Sequence, residues 1–226
     1  HWWNGSTWQY EGGTVDAGSN KVTCRTNHLG DFALFERDHV LLNVNVFLEG
    51  AYESGGVMRT TLQENSLIPL TSTHADGRVL SKVPADVCDW VKVELRSTPA
   101  GAAVSQRSFL LKKTGAVVDW DGTSTDLSLP GAINGNYYVV VAHRNHLSVM
   151  SANAVALTST TPGSVNFTSS ISAYYGNDAK LLETAVYGMY TGDANSNGEV
   201  QNDDKNDYWK VQVGSSGYLG ADFSLN

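Results

Sequence analysis

Short segments in which apolar and polar residues alternate run through the middle of the chain, and this alternation is typical of half-buried β-strands. Residues 39–50 and 88–97 both show it, with apolar side chains on one side of each segment and polar or aromatic ones on the other. Residues 135–145 are apolar on both sides. This second pattern predicts a strand that is buried in the middle of a sheet.

Turn signals separate these strands from their neighbours. Residues 106–124 predict a hairpin that turns at Gly115 and is followed by a second turn at Gly122. Two further short strands are expected before residue 170. Many short strands with turns between them predict a mainly β protein, with an antiparallel, immunoglobulin-like β-sandwich over residues 39–170.

The two flanking segments differ from this block. Residues 1–38 hold three of the six Trp residues and a Gly-rich turn, and they predict a β-meander that leads into the sandwich. Residues 171–226 are predicted to form a linker and a calcium-binding tail. Within them, residues 177–190 are compatible with a short helix or with an irregular link.

Composition narrows the classes of partner. The chain has 226 residues, and 15 Lys and Arg against 23 Asp and Glu give a net charge of −8. Without a basic patch, nucleic acid is not an expected partner, and without a long apolar run no membrane insertion is expected. An acidic chain of this kind suits an extracellular setting with divalent cations. Cys24 and Cys88 are compatible either with a disulfide or with two separate thiols.

Residues 193–204, DANSNGEVQNDD, have the spacing of a calcium-binding loop. Oxygen-bearing side chains stand at loop positions 1, 3, 5 and 12, and a Gly stands at position 6, where such loops turn sharply. Position 7 offers a backbone carbonyl and position 9 a ligand that acts through water. The predicted Ca²⁺ ligands are Asp193, Asn195, Asn197, Glu199, Gln201 and Asp204. The alternative is an Asn/Asp/Gly-rich turn that needs no metal.

The residues after this loop predict a helix that ends at Gly214. Val200 in the loop and Trp209 in the helix are expected to point into the core. Closure of the loop by Asp204 instead of Glu, with only two carboxylates in the set, predicts weak affinity that suits extracellular calcium concentrations.

A partial second copy of the loop begins 29 residues after Asp193. It gives a second candidate metal site at Asp222, Ser224 and Asn226. Residues 192–226 therefore resemble a dockerin, in which two calcium loops, each followed by a helix, bind a cohesin partner. The resemblance implies first-site ligands at the positions already named. Because the second loop lacks its turn Gly and closing carboxylate here, we expect a calcium-braced terminal cap instead of a cohesin-binding module.

Residues 24–35, CRTNHLGDFALF, resemble the self-cleavage motif of adhesion receptors, and the likeness extends over about residues 1–36. In that family the His takes a proton from the hydroxyl of the residue after Leu, and the oxygen attacks the Leu carbonyl. Here His28 and Leu29 are followed by Gly30, which has no hydroxyl, so the motif is expected to be inactive. A kinked hairpin packed on a neighbouring sheet is expected to remain, with contacts from Leu29, Phe32, Ala33 and Phe35.

Other chemistry has weaker signals. An N-terminal His is a hallmark of copper monooxygenases, but no spacing selects a partner for His1 among the other five His residues. The segment AHRNH, residues 142–146, favours hydrogen bonding within a turn over a metal or ligand site. The aromatic residues Trp2, Trp3, Trp8 and Tyr10 either fill the core of the meander or stack on sugar rings.

Residues 44–169 are also similar to a β-sandwich near the carboxyl end of large secreted bacterial surface proteins, a resemblance that implies a location and no activity. The sequence thus predicts a non-enzymatic, calcium-stabilised structural or adhesive module, secreted and displayed at the cell surface, with a filament subunit as one form. Its expected partners are other surface-protein domains or identical subunits, with glycans as a further class. The alternative is a carbohydrate-binding module of a secreted enzyme.

Overall fold

A computed structural model of the chain describes residues 2–9, 14–16, 21–24, 26, 29–32, 38–74 and 76–226. The described chain is mainly β, with antiparallel sheets, as the sequence predicts. Its contacts form two compact units, His1–Arg37 and Asp38–Asn226. None of its described helices is long and apolar enough to span a lipid bilayer.

Among its described residues, the first unit has two short antiparallel hairpins. In the first, the Asn4 side chain accepts hydrogen bonds from the backbone N–H groups of Ser6 and Thr7, at 2.9 and 2.8 Å, which closes the turn. The four strands are β1 (Trp2–Trp3), β2 (Trp8–Gln9), β3 (Thr14–Asp16) and β4 (Lys21–Thr23), with β1 paired to β2 and β3 paired to β4.

The packing expected for the hairpin around the cleavage-like motif is wrong for two of its residues. Leu29 is 98% exposed and Phe32 is 48% exposed, although Phe32 forms a β-bridge with Trp2. Ala33 and Phe35 lie outside the described residues, as does His28.

The second unit contains most of the strands. They are β5 (His39–Asn45), β6 (Tyr52–Ser54), β7 (Val57–Met58), β8 (Val87–Arg96), β9 (Ala103–Lys112), β10 (Val117–Val118), β11 (Leu127–Pro130), β12 (Gly135–His143), β13 (His146–Met150), β14 (Val155–Leu157), β15 (Gly163–Asn166), β16 (Lys180–Glu183) and β17 (Val186–Gly188). The main sheet has the order β10-β9-β8-β12-β13, and β14 also pairs with β12. Strand β12 is therefore central, as its sequence predicts.

A smaller sheet has the order β11-β5-β15. Strand β11 runs antiparallel to β5, but β15 runs parallel to it, with Val165 opposite Val44. This parallel pair departs from the purely antiparallel arrangement that the short spacing of the strands predicts. The immunoglobulin-like arrangement itself stays a prediction.

The two sheets contribute to one hydrophobic core. Val40, Leu42 and Val44 of β5 are buried and alternate with half-buried residues, as the pattern of residues 39–50 predicts. Val91, Val93 and Leu95 of β8 are each 0% exposed. Burial of such side chains supplies the main favourable free energy of folding, about 1.5–3 kcal/mol for each.

The predicted turns at Gly115 and Gly122 are confirmed. Gly115 N–H bonds to the carbonyl of Lys112 at 2.9 Å, and Gly122 N–H bonds to that of Asp119 at 2.9 Å. Both glycines have positive φ, at 84° and 75°, a conformation that glycine adopts without strain.

The expectation for residues 177–190, a short helix or an irregular link, is wrong. Strands β16 and β17 form a hairpin there, after two 3₁₀ turns at Ile171–Ala173 and Tyr175–Asn177. Met189, which follows the hairpin, is 0% exposed and forms a parallel bridge with Leu48. Burial of Met189 against the core thus holds the segment in extended form, a contact that no local pattern predicts.

The remaining helices are short. Helix α1 (Thr61–Glu64) comes early in this unit, and near the C-terminal end a π-helical turn (Asp204–Trp209) runs into α2 (Lys210–Gln212). The helix predicted after the calcium-type loop is therefore present, and it ends before Gly214, whose φ is 83°.

Candidate metal centre

The calcium-type loop starts at the end of the main sheet. Thr191 forms a bridge with His146, and Gly192 N–H bonds to the carbonyl of Asn145 at 3.0 Å. Further along the loop, the Ser196 hydroxyl donates to the carbonyl of Arg144 at 3.0 Å. Residues 193–204 are thus anchored on the turn between β12 and β13.

The first carboxylate of the loop faces inward. Asp193 is 2% exposed, and its two oxygens accept the backbone N–H groups of Asn197 and Gly198, each at 3.0 Å. Gly198 has a φ of 89°, so position 6 makes the sharp turn that the sequence predicts. The chain is therefore wrapped around the Asp193 carboxylate.

The closing carboxylate, that of Asp204, also faces inward, from the other end of the loop. Asp204 is also 2% exposed; one of its oxygens accepts Ala194 N–H at 2.8 Å and Asn195 N–H at 3.3 Å. Its other oxygen accepts Gln201 N–H at 2.9 Å. Two buried carboxylates thus lie within one twelve-residue loop, as the spacing predicts.

The two amide side chains at positions 3 and 5 present their oxygens to the loop backbone. The Asn195 Oδ1 atom accepts Asn197 N–H at 3.0 Å, and the Asn197 Oδ1 atom accepts Glu199 N–H at 2.9 Å. Glu199 and Gln201 are exposed, and their roles as ligands stay predictions.

Two side chains near the loop do not point into the core as predicted. Val200 is 52% exposed and Trp209 is 43% exposed. Trp209 ends the π-helical turn, in which a turn takes more residues than in an α-helix, so side chains rotate away from their α-helical positions. Val200 instead approaches Gly192, where an added Cβ atom would lie 2.9 Å from the valine Cγ1.

The electrostatics of the loop favour a cation. Burial raises the pKa of Asp193 above its usual value, backbone donors oppose the rise, and the negative charge of Asp204 adds to it. Among the described residues, no Lys, Arg or His nitrogen lies within 4.0 Å of either carboxylate. The described residues also hold no group of three or more His, Cys, Asp or Glu side chains suited to a metal. The candidate set instead combines two carboxylates with amide and backbone oxygens, which are ligands that suit Ca²⁺.

The partial second loop repeats the start of the first. The Asp222 carboxylate accepts Leu225 N–H at 3.0 Å and Asn226 N–H at 3.1 Å. The Ser224 hydroxyl, the second candidate ligand, also lies 3.0 Å from an Asp222 oxygen. In both loops, therefore, the Asp at position 1 accepts the N–H of position 5, from Asn197 in the first loop and from Asn226 in the second.

The backbone of this second loop is held by side chains from the rest of the unit. Asn145 Nδ2 donates to the Asp222 carbonyl at 2.7 Å, Thr191 Oγ1 to that of Phe223 at 3.2 Å, and Arg59 Nη1 to that of Ser224 at 3.2 Å. Leu225 is 1% exposed. Residues 218–226, which we call the C-terminal segment, are thus integrated into the second unit.

Sequence reasoning missed a buried ionic cluster that ties the C-terminal segment to the main sheet. Asp89 in β8 is 0% exposed and accepts hydrogen bonds from Trp90 N–H, His143 Nε2, Arg144 Nε and the Tyr218 hydroxyl. Burial pushes the pKa of Asp89 upward, but the His143 hydrogen bond and the Arg144 charge hold it below its usual value. The sequence does contain a signal for this cluster, because Asp89 is a carboxylate among the apolar residues at the start of β8.

The two histidines of AHRNH complete this cluster as hydrogen-bonding groups. They bond to each other within the turn, as expected, but also to Asp89 and Gly50 in distant parts of the chain. His143 Nε2–H donates to Asp89, so His143 Nδ1 accepts from His146 Nδ1–H at 3.0 Å, and His146 Nε2 accepts Gly50 N–H at 3.2 Å. Every ring nitrogen is satisfied when both rings are neutral. Burial lowers the pKa of both histidines, that of His146 well below its usual value.

The other candidate residues are less informative. Trp3 is 37% exposed and Trp2 is half-buried, while the Trp8 side chain and Tyr10 lie outside the described part of the chain. His1 also lies outside it, so the copper alternative, which the sequence does not favour, is not tested. Cys88 is buried in β8, and burial raises the pKa of its thiol. The choice between a disulfide with Cys24 and two separate thiols stays open.

Comparison of the chain with protein-family models, with characterised proteins and with solved structures finds no match. Any functional assignment therefore depends on the geometry and chemistry of the sites themselves.

Proposed function

We propose that this chain is a calcium-stabilised, non-enzymatic structural or adhesive module of a secreted bacterial surface protein or extracellular assembly. The observation that carries the proposal is the pair of buried carboxylates, Asp193 and Asp204, enclosed by one loop without a cationic side chain within ion-pair distance in the described structure. Like charges in a buried site repel each other, and a divalent cation bound between them removes that repulsion.

The proposed ion acts as a brace. Ca²⁺ held by Asp193, Asn195, Asn197 and Asp204, with Glu199 through its carbonyl and Gln201 through water, connects the start of the loop to the π-helical turn. The same loop is anchored on the turn between β12 and β13 through Ser196. Binding of the ion is thereby coupled to the packing of residues 193–226 on an immunoglobulin-like sandwich.

A structural role is further supported by the way the buried polar residues use their hydrogen bonds. Asp89, His143 and His146 bond to one another, to the backbone and to Tyr218. Groups that are committed in this way hold elements together, whereas a general base needs a lone pair that reaches a substrate.

A role in assembly is supported by exposed apolar side chains next to the proposed metal loop. They are Val200, Tyr208, Trp209, Val211 and Val213, which are between 38% and 69% exposed. Several exposed apolar side chains within a short stretch of chain are consistent with a protein interaction surface. We infer that another surface-protein domain or an identical subunit contacts this region.

The calcium assignment is tested by thermal unfolding in excess calcium and in excess chelator. Because the ion binds the folded form only, wild-type stability should rise by about 2.7 kcal/mol at a hundredfold excess over the dissociation constant. Asp193→Ala should unfold at the same temperature in both solutions. Ion binding should be measured directly by calorimetry on the same samples.

Asp222→Ala is the matched control. It removes the acceptor for Leu225 and Asn226 N–H and so should lower stability, but it should keep the wild-type shift between calcium and chelator. A wild-type protein whose unfolding and calorimetry are both indifferent to calcium would show that residues 193–204 are only a turn.

A further inference from the structure

A polar cavity of about 440 Å³ lies on the main sheet, and none of the proposed calcium ligands lines it. Lys92, Glu94 and Arg96 line it from β8, alternating with the core residues of that strand. His74 and Arg144 line it as well, and we call it the Arg144 cavity. Its volume falls within the range of about 300–1,000 Å³ that is typical of small-molecule sites.

Two buried polar atoms of the lining residues lack partners in the described structure. The Arg144 side chain is 9% exposed; its Nε donates to Asp89 and its Nη1 to the carbonyl of Leu219, but its Nη2 has no partner. The Nε2 atom of His74 likewise has none. Buried polar groups are nearly always hydrogen-bonded, so an unsatisfied guanidinium nitrogen beside a cavity indicates a missing acceptor.

The charges around the cavity favour an anion as that acceptor. Among the residues that line the cavity, Lys92, Arg96 and Arg144 carry three positive charges and Glu94 carries one negative charge, which leaves two positive charges. Lys92 Nζ lies 2.6 Å from Glu94 and Arg96 Nη2 lies 2.8 Å from it, so that carboxylate is already shared. Asp89 is committed to its own cluster.

The state of His74 agrees with this charge balance. Burial is the main cause that lowers the pKa of His74 to about 4. The ring is therefore neutral at pH 7 in the absence of a ligand. An anion nearby would favour the protonated ring, which would then donate from Nε2 to the ligand.

We propose that the Arg144 cavity binds a small oxyanion, with a carboxylate or a similar group accepting from Arg144 Nη2. Guanidinium groups bind such anions through short, charge-assisted hydrogen bonds. The volume exceeds that of a bare ion, so an acidic monosaccharide is the ligand class that fits best. This site goes beyond the calcium-dependent role, and Ser196 of the proposed metal loop is one of the residues that line it.

The intact protein is titrated separately with sodium glucuronate, with sodium sulfate, and with glucose in matched sodium chloride. Binding is monitored by calorimetry and by NMR of the His74 ring. We expect saturable binding of glucuronate that moves the His74 resonances, and no response to glucose or chloride. Tighter binding of sulfate than of glucuronate would assign the site to inorganic oxyanions. Absence of saturation by both oxyanions at millimolar concentrations would overturn the proposal.

Variants locate the binding. Arg144→Lys keeps the charge but removes the second guanidinium nitrogen, and it should weaken glucuronate binding roughly tenfold or more. Lys92→Gln leaves the buried Asp89 cluster intact and should weaken glucuronate binding by a smaller factor. This second variant tests the site even if Arg144→Lys does not fold. Lys112→Gln, whose Nζ bonds to the carbonyl of Ala85, is the matched control and should bind as the wild type does. Wild-type affinity in Lys92→Gln and in any folded Arg144→Lys would refute the site.

Discussion

At the scale of single residues, Asp89 has the largest consequences for stability. It is a fully buried carboxylate that four donors share, and one of those donors is the guanidinium of Arg144. A buried ion pair of this kind contributes little net stability when intact, because both ions have lost their hydration. Removal of one partner, however, leaves the other charge buried and uncompensated.

Asp89→Asn should therefore lower the free energy of unfolding by about 3–5 kcal/mol. The amide replaces one of the two oxygens by an N–H₂ donor, which would face either the donors of Arg144 and His143 or those of Tyr218 and the Trp90 backbone. Urea unfolding measures the change. The matched control is Asp126→Asn, whose carboxylate is exposed and accepts only from Asn43 among the described contacts; it should change stability by about 0.5 kcal/mol or less. Equal effects of the two variants would contradict this account.

At the scale of elements, the C-terminal segment depends on a close approach of two backbones. Gly50 lies against the Phe223 carbonyl, and an added Cβ atom would overlap that oxygen. Gly50 N–H also bonds to His146, which places this glycine between the histidine pair and the C-terminal segment. The docking of the segment therefore requires a residue without a side chain at position 50.

Gly50→Ala should displace residues 222–226 from the unit. The expected result is faster hydrogen exchange at Leu225 N–H and Asn226 N–H, together with a lower melting temperature, because the buried Leu225 side chain becomes exposed. Gly220→Ala is the control: the atoms nearest its added Cβ would be 4.0 Å away, so it should leave both measurements near the wild-type values. Retained protection in Gly50→Ala would show that the segment can dock in another way.

At the scale of the whole molecule, buried neutral histidines make stability depend on pH. The pKa values of His74, His143 and His146 are all lowered by folding, chiefly by burial. Between those values and pH 6.5 the unfolded chain binds more protons than the folded chain, so stability is lost as the pH falls below about 6.5. Asp89, with its lowered pKa, adds a further loss at more acidic pH.

The free energy of unfolding should thus decrease between about pH 7.5 and about pH 5, and His74 alone should contribute about 2 kcal/mol of that decrease. Urea titrations at several pH values measure it. His74→Gln, which removes one titrating ring, should show a smaller decrease than the wild type. A wild-type stability that is constant over this interval would mean that the buried rings titrate equally in the folded and unfolded chains.

Features that depend on local periodicity and spacing could be predicted from the amino-acid sequence. The alternation in residues 39–50 and 88–97, the turns at Gly115 and Gly122, and the wrapping of residues 193–204 around Asp193 all follow from side chains a few positions apart. Each depends on backbone preferences and short-range hydrogen bonds, so each can be predicted without knowledge of the rest of the chain.

Contacts between residues far apart in the chain could not be predicted in this way. The Asp89 cluster joins side chains 54 and 129 positions apart in the chain, the parallel pairing of β15 with β5 brings together distant segments, and burial of Met189 holds residues 180–188 as a hairpin. The Arg144 cavity likewise collects residues from several elements. Such contacts depend on the packing of the whole core, because burial is a property of the assembled fold and has no local sequence pattern.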